Sequence, residues 1–426
     1  MLPTLLDDLF ESPIATLAIL AVGSALLLIT FMLVSAIFSV WLERKVAGRI
    51  QDRLGPTRVG GKFGWLQTLA DGVKLLCKED IIPTAADHVL FRLGPYIALA
   101  GSFLAFLALP FGNGVVAIDM NIAVLFMLAV MSTEVFGIIL AGYGSGSKWA
   151  LFGGMREAAQ MVSYEVPMAL CVVVPIIVTG TMNLSTFVRV PAGVDWYNSP
   201  SLLWNWNLFH DPFTFGAFWT YYTCAMASCK RAPFDLAEAE SELVAGFHTE
   251  YSGFRWLTLF MAEYGSMFAV SGIAIIMFLG GWHLGLPWEM TDLFTSLFGS
   301  ETAGMIVGNL INIVVFILKG WLLVGVMMWI RWTLPRLRID QVMMTCLKYL
   351  LPLSCILLLG VSVWRLVLPG VVQDCCKYVI FALCLLGLVA FIRTLMVFVS
   401  APPGSAMPGM WRMSSLSGYQ GEKQKT

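Results

Sequence analysis

Apolar residues run through this chain in long blocks, and polar residues are confined to the stretches between them. A bilayer core about 30 Å thick needs about 20 apolar residues per helix. Nine stretches fit that length, roughly 14–40, 93–111, 119–142, 157–181, 213–229, 254–282, 303–330, 345–368 and 377–399, the fifth being short and polar-tinged. In the first connection Leu66, Leu69, Val73 and Leu76 recur at three- and four-residue spacing, with Asp71, Lys74 and Lys78 off that stripe. Such spacing predicts an amphipathic helix lying in the interface or packing on the bundle. The predicted fold is an all-α polytopic membrane protein, a bundle of about nine transmembrane helices with an interfacial amphipathic helix in the first loop. Residues 1–400 are expected to form one transmembrane domain containing two functional loops, 41–92 and 230–253. Residues 401–426, with Pro402, Pro403, Gly404 and Pro408 before a polar end, read as a disordered tail.

Charge orients this pattern. The loop after the first helix holds Arg44, Lys45, Arg49, Arg53, Arg58, Lys62, Lys74, Lys78 and Arg92, and later odd-numbered connections carry Lys148, Arg156, Lys230, Arg231, Arg255, Arg331, Arg336 and Arg338. Even-numbered connections hold almost no base, with Arg189 alone in 182–212. The positive-inside rule then puts the N-terminus outside and both functional loops in the cytoplasm. Met1–Pro13 is acidic, and the apolar run after it is too long for a signal-peptide core, so the first helix is expected to be retained. Trp196, Trp204 and Trp206 in the long outer connection read as interfacial anchors.

Composition agrees: 58% of the 426 residues are hydrophobic and 12% charged, about half the charge of a soluble domain. The net charge of −1 and the lack of a basic tail give no sign of a nucleic-acid partner. The nine cysteines show no CxxC or Cys/His spacing, so no metal site, iron–sulfur cluster or disulfide framework is expected, only free buried thiols.

Against this apolar background the acidic residues stand out. The stretch 230–251 carries Asp235, Glu238, Glu240, Glu242 and Glu250, with Glu263 one helix on. Glu134 lies mid-way along the third apolar block and Glu165 in the fourth, beside Tyr164. A carboxylate at the bilayer midplane costs about 2.5–3.5 kcal/mol. A single such Glu is as readily explained by an ion pair as by function. The set outnumbers the nearby bases Lys230, Arg231 and Arg255, which points to proton handling, with Pro167 and Pro175 loosening the helix beside it. Pro233 and Asp235 are expected to start a short helix on which Glu238 and Glu242 share a face. The Gly-rich basic segment Gln51–Gly61 lacks the Gly-Lys-Ser/Thr ending of a phosphate-binding loop. From the residues alone it is simple positive-inside topology first, and an anionic head-group or partner site second.

Several segments carry a resemblance: Leu42-Glu-Arg-Lys with Arg53-Leu-Gly-Pro-Thr-Arg-Val-Gly; Leu69-Ala-Asp-Gly-Val-Lys-Leu; Gly154-Met-Arg-Glu-Ala-Ala-Gln-Met-Val-Ser-Tyr-Glu-Val; Arg231-Ala-Pro-Phe-Asp-Leu-Ala-Glu-Ala-Glu-Ser-Glu-Leu with Thr249-Glu-Tyr; Phe260-Met-Ala-Glu-Tyr; and Arg331-Trp-Thr-Leu-Pro-Arg-Leu-Arg-Ile-Asp-Gln. In order and content they resemble the H subunit of bacterial NADH-quinone oxidoreductase, the respiratory complex I subunit-one family. The resemblance implies a multi-pass subunit of the bacterial inner membrane, linking reduction of a quinone such as ubiquinone to proton translocation. It implies a translocase subunit without a redox centre of its own: quinone is the substrate, while flavin and iron–sulfur clusters, and the NAD chemistry, sit on partner subunits of the peripheral arm. Other membrane-arm subunits and lipid would complete its surroundings.

By position, the resemblance assigns Arg44, Asp71, Arg231, Phe234 and Arg331 to the quinone cavity or its mouth. It assigns Glu165, Glu238, Glu240, Glu242, Glu250 and Glu263, with Tyr164, to an acidic path for proton coupling; Glu134 joins them more on burial than on motif. Thr57 and Gly61 depart from the family's usual Asn and Pro. Ser228 stands where many members have Glu, and Lys230 where Asn or His is common, which implies one carboxylate fewer and one base more. The ninth helix has no counterpart in many members. Two alternatives stand beside this reading: the membrane anchor of a related proton-pumping hydrogenase, and a stand-alone proton-coupled transporter, whose expected internal repeat with broken helices is not visible.

Overall fold

A computed structural model describes residues 13–189, 201–286 and 289–400; Trp196 and the expected tail lie outside them. The main helices are α1 (Pro13–Ile50), α2 (Gln67–Cys77), α3 (His88–Ala105), α4 (Ala123–Gly144), α5 (Lys148–Thr179), α6 (Pro212–Ser228), α7 (Gly253–Phe278), α8 (Glu301–Thr333), α9 (Ile339–Val367, π-helical over Met344–Leu350) and α10 (Gly370–Ser400). Among the described residues eight of them, all but α2 and α6, are long and apolar enough to cross a bilayer. Helix α6 has 17 residues and is the short fifth stretch of the sequence pattern. Its start is well satisfied. Asp211 and Thr214 form a reciprocal capping box with Pro212 in the first turn.

Helix α7 is the axis of the bundle: 89% of its most apolar stretch is buried, against 17% for α9. Its neighbours are tied to it by polar contacts as well as packing. The Tyr221 hydroxyl of α6 donates to the Val270 carbonyl at 2.9 Å, and the Tyr222 hydroxyl to Leu323 of α8 at 2.7 Å. Helices α3 and α4 cross at close range through glycine. A Cβ on Gly94 would lie 2.8 Å from the Ala141 nitrogen, and one on Gly137 2.4 Å from that of Ala98. Small residues at such a crossing let backbones meet, the usual way helices associate without a hydrophobic driving force between them.

The chain divides into two compact units after Lys377, a boundary that falls within α10. Of the nine free cysteines, Cys171, Cys224, Cys229 and Cys346 are buried, while Cys77, Cys355 and Cys375 are exposed. The expectation of buried thiols therefore holds for part of the set. The exposed ones sit where no neighbour among the described residues covers them.

Helix α2 forms where the three- and four-residue spacing places it. None of its residues is buried, and Leu66, Leu69, Val73 and Leu76 are all exposed. The acidic loop departs from expectation. Asp235 starts no helix; Glu240–Leu243 forms a single α-turn and Gly246–His248 a single 3-10 turn. One turn is far below the length at which a helix is stable alone. Tertiary ion pairs take Asp235, Glu238 and Glu242 instead, and Glu238 and Glu242 do not share a helix face. Gly246, at φ +53°, lets the loop fold back on itself; a side chain there would collide with the Ala237 carbonyl.

Candidate functional site

Three groups of charge, two of them buried, lie around α7 and the loop that precedes it. The first is built on Glu43, near the end of α1. It accepts hydrogen bonds from Arg331 of α8 and from the Tyr264 hydroxyl of α7, and it lies 3.5 Å from Arg231. Arg231 in turn stands 2.9 Å from Glu263 of α7, with its guanidinium carbon 4.5 Å from the centre of the Tyr264 ring. Two arginines, two carboxylates and a tyrosine from three helices and one loop thus share a single buried knot. Burial opposes the Arg231 charge, but Glu263, Tyr264 and Glu43 hold it fully protonated.

The second group is Lys230, Glu134 and Glu157. Lys230 follows α6 in the left-handed region at φ 53°, a conformation costing an L-residue about 1–2 kcal/mol. Its ammonium donates to Glu134 Oε1 of α4 at 2.7 Å. Burial works against this ammonium, yet Glu134 and Glu157 raise its proton affinity above that of an ordinary lysine. Glu157 of α5 is fully buried, and neither of its oxygens has a hydrogen-bond donor among the described residues.

The third group is the loop itself. His248 pairs with Glu238 at 3.0 Å, Arg336 with Asp235 at 2.7 Å, and Arg156 with Glu242 at 2.6 Å. Burial would raise the Glu238 carboxyl, but His248, Arg231 and Lys230 together hold it below the usual range. Asp235 moves the other way. Burial and the neighbouring Glu238 push it up despite Arg336.

Beside these groups lies a cavity of ≈ 630 Å³, walled by α1, α2 and the start of α7, with Val40, Arg44, Asp71, Leu75, Trp256 and Phe260 among its lining. It is apolar apart from a few groups, chiefly the Arg44–Asp71 ion pair. Successive residues of a helix point about 100° apart. Helix α1 therefore turns Arg44 to the cavity and Glu43 to the buried knot. Helix α7 makes the same link on one stripe. The rings of Trp256 and Phe260 stack at 4.9 Å, and Phe260 meets Tyr264 at 4.8 Å, leading from the cavity wall to Glu43.

The residues expected at the quinone cavity are thus divided. Arg44 and Asp71 line it; Arg231, Phe234 and Arg331 are not among its lining residues, and the two arginines meet at Glu43. Of the acidic set, Glu134, Glu263 and Tyr164 are buried, while Glu165 is half-buried and accepts a hydrogen bond from Ser132. Glu242 is exposed and Glu250 half-buried. The Glu240 side chain lies outside the described residues.

Glu43 and Glu157 are the functional candidates that sequence reasoning missed. Glu43 ends an apolar run in a charge-poor chain, which is signal enough to flag it. Glu157 looks in sequence like the partner of its neighbour Arg156, but α5 begins at Lys148, earlier than the apolar pattern implies, and turns the two apart. Among the described residues no group of His, Cys, Asp or Glu is arranged to hold a metal ion.

Comparison with known proteins adds a consistent picture. The family model described as NADH dehydrogenase matches residues 23–362. The H subunit of NADH-quinone oxidoreductase from Anaeromyxobacter dehalogenans is 41% identical over 353 residues, 82% of this chain and 82% of that protein. Its counterpart of the same name from Chlorobaculum tepidum is 43% identical over 345 residues, covering 81% of this chain and 92% of the relative. A further H subunit, from Cytophaga hutchinsonii, is 40% identical over 358 residues, 80% of this chain and 97% of its own length.

Proposed function

The chain belongs to the family of NADH-quinone oxidoreductase H subunits, multi-pass membrane components of respiratory complex I, and on that premise we propose that its cavity receives quinone and its buried charges couple quinone reduction to proton movement. The observation that carries this reading is that α1 and α7 each serve both places. Arg44 and Glu43 are adjacent on one helix, Trp256, Phe260 and Tyr264 aligned on the other, with the cavity at one end and the charge knot at the other.

A largely apolar chamber with a few charged groups at Asp71 suits a polar ring on a long hydrocarbon tail. Reduction of a quinone to quinol takes up two electrons and two protons. The electrons come from flavin and iron–sulfur subunits of the peripheral arm, and no redox centre is assigned to this chain. A change of charge in the cavity would be felt at Glu43 and Glu263 through Arg231, then at Glu134, Glu157 and Glu165. Buried carboxylates respond to a neighbouring charge by changing protonation, because the low dielectric leaves little screening. Glu238, Glu242 and Glu250 would connect this series to the cytoplasmic side. The orientation follows from the basic odd-numbered connections, and the membrane is the bacterial inner membrane.

The relatives give no support to the hydrogenase-anchor or transporter alternatives. The test is Glu165→Gln or Glu242→Gln in membranes carrying the complete complex. Either is expected to lower quinone reductase activity and proton pumping. Both rates unchanged in both variants would contradict the assigned role.

A further inference from the structure

Among the described residues of the cluster, Glu157 is the fully buried carboxylate with neither oxygen hydrogen-bonded. An unsatisfied charge in such a place is costly, whereas the neutral acid loses little and carries its own donor. The charged groups facing it are Lys230 after α6, Glu134 on α4, and Glu238 and Asp235 in the acidic loop. Tyr164, about two turns along α5, is also within its field.

The ammonium of Lys230 is spent on Glu134, at 2.7 Å. Two carboxylates therefore compete for one cation, whose backbone lies in the left-handed region at φ 53°. Two like charges sharing one counter-charge titrate as a pair, with one of them holding its proton over a wide range.

We propose that Glu157 is a proton-holding residue of the coupling path, exchanging one proton with the cluster as the engagement of Lys230 by Glu134 changes. The step is a proton transfer alone: the carboxylate gains a proton from a neighbouring acidic group and later returns it, with no electron moved. This inference rests on the reading of the acidic cluster as the coupling path. It adds a member that the family resemblance does not assign.

The test uses the complete complex, with infrared difference spectra recorded as quinone is reduced. A protonated-carboxyl C=O signal is expected that vanishes in Glu157→Gln and moves to a new position in Glu157→Asp. The pH profile of quinone reduction in Glu157→Gln is expected to move about one unit lower, since the last proton of two competing carboxylates is held more tightly than the proton of Glu134 alone. Where Glu157→Gln does not assemble, the Glu157→Asp displacement decides alone. Spectra identical in the unaltered and Glu157→Asp complexes, or an unmoved pH profile, would overturn the proposal. A silent Glu157 with an impaired Glu165→Gln removes this inference only. A responsive Glu157 with an unimpaired Glu165→Gln and Glu242→Gln removes the wider assignment of those two residues.

Discussion

Lys230 and Lys319 are both drawn into the protein, yet they are held there by different chemistry. Lys230 faces the carboxylates of Glu134 and Glu157. Lys319 of α8 faces backbone: it donates to the carbonyls of Leu279, Gly281 and His283 at 2.8, 2.9 and 2.7 Å, and lies 4.1 Å from the centre of the Trp206 ring. Those carbonyls follow the C-terminus of α7, where a helix leaves acceptors unpaired and favours positive charge. A carbonyl accepts a hydrogen bond but takes no proton in the working pH range. The Lys319 end is a clamp of three hydrogen bonds on the loop after α7. At the Lys230 end the partners themselves titrate, so charge there can move.

The sharpest way to break this contrast is to remove Lys230. Lys230→Met leaves two buried carboxylates with no cation, and losing one partner of a buried pair costs about 3–5 kcal/mol. Assembled complex in membranes is expected to fall steeply, and adding Glu134→Gln to the same chain is expected to recover much of it. Equal loss in single and double variants would show that the lysine acts through packing.

Acid should separate the two ends next. Burial pushes the His283 imidazole, beside the Lys319 clamp, down to about 4 from an ordinary 6.5. Between those values the unfolded chain binds a proton that the folded one refuses, so stability falls as pH falls through that window, by up to about 3 kcal/mol. Thermal unfolding of the complex at stepped pH should show this slope, and His283→Gln should flatten it. Glu238, held low by His248, adds an acid-labile contribution of the same sign, present above its unfolded value and lost only at still lower pH.

Lys319→Met removes three hydrogen bonds and a cation–π contact. A loss of about 2–3 kcal/mol in thermal stability is expected, with quinone reduction per assembled complex unchanged. The smallest effect belongs to the cavity. Arg44→Met breaks a half-exposed pair with Asp71. It should raise KM for quinone up to about fivefold, equivalent to about 1 kcal/mol, and leave kcat alone.

The same contrast explains what the sequence could reveal. Helix spans were legible because twenty apolar residues in a row admit few other uses, and α2 because its leucine spacing repeats at helical period. Glu134 and Glu263 were legible as a cost, because a carboxylate inside an apolar block has to find a cation or a proton. Partners were not legible. Nothing in the order of residues says that Arg231 and Arg331 meet on Glu43, or that Asp235 belongs to Arg336 rather than to a helix cap. Such pairings are decided by tertiary packing, as is the turn of α5 that separates Arg156 from Glu157. Lys319 is the plainest case: amid the apolar run of α8 it invites a functional reading, and only the three carbonyls around it make it a clamp.

The most direct measurement is the number of protons translocated per NADH oxidised by inverted membrane vesicles carrying the complete complex with Glu134→Gln or with Lys319→Met. The neutral Gln can still accept the Lys230 hydrogen bond, so assembly is expected in both. A coupling role for Glu134 predicts that the ratio falls several-fold in Glu134→Gln and stays unchanged in Lys319→Met. An unchanged ratio in Glu134→Gln, with the complex assembled and turning over, would contradict it.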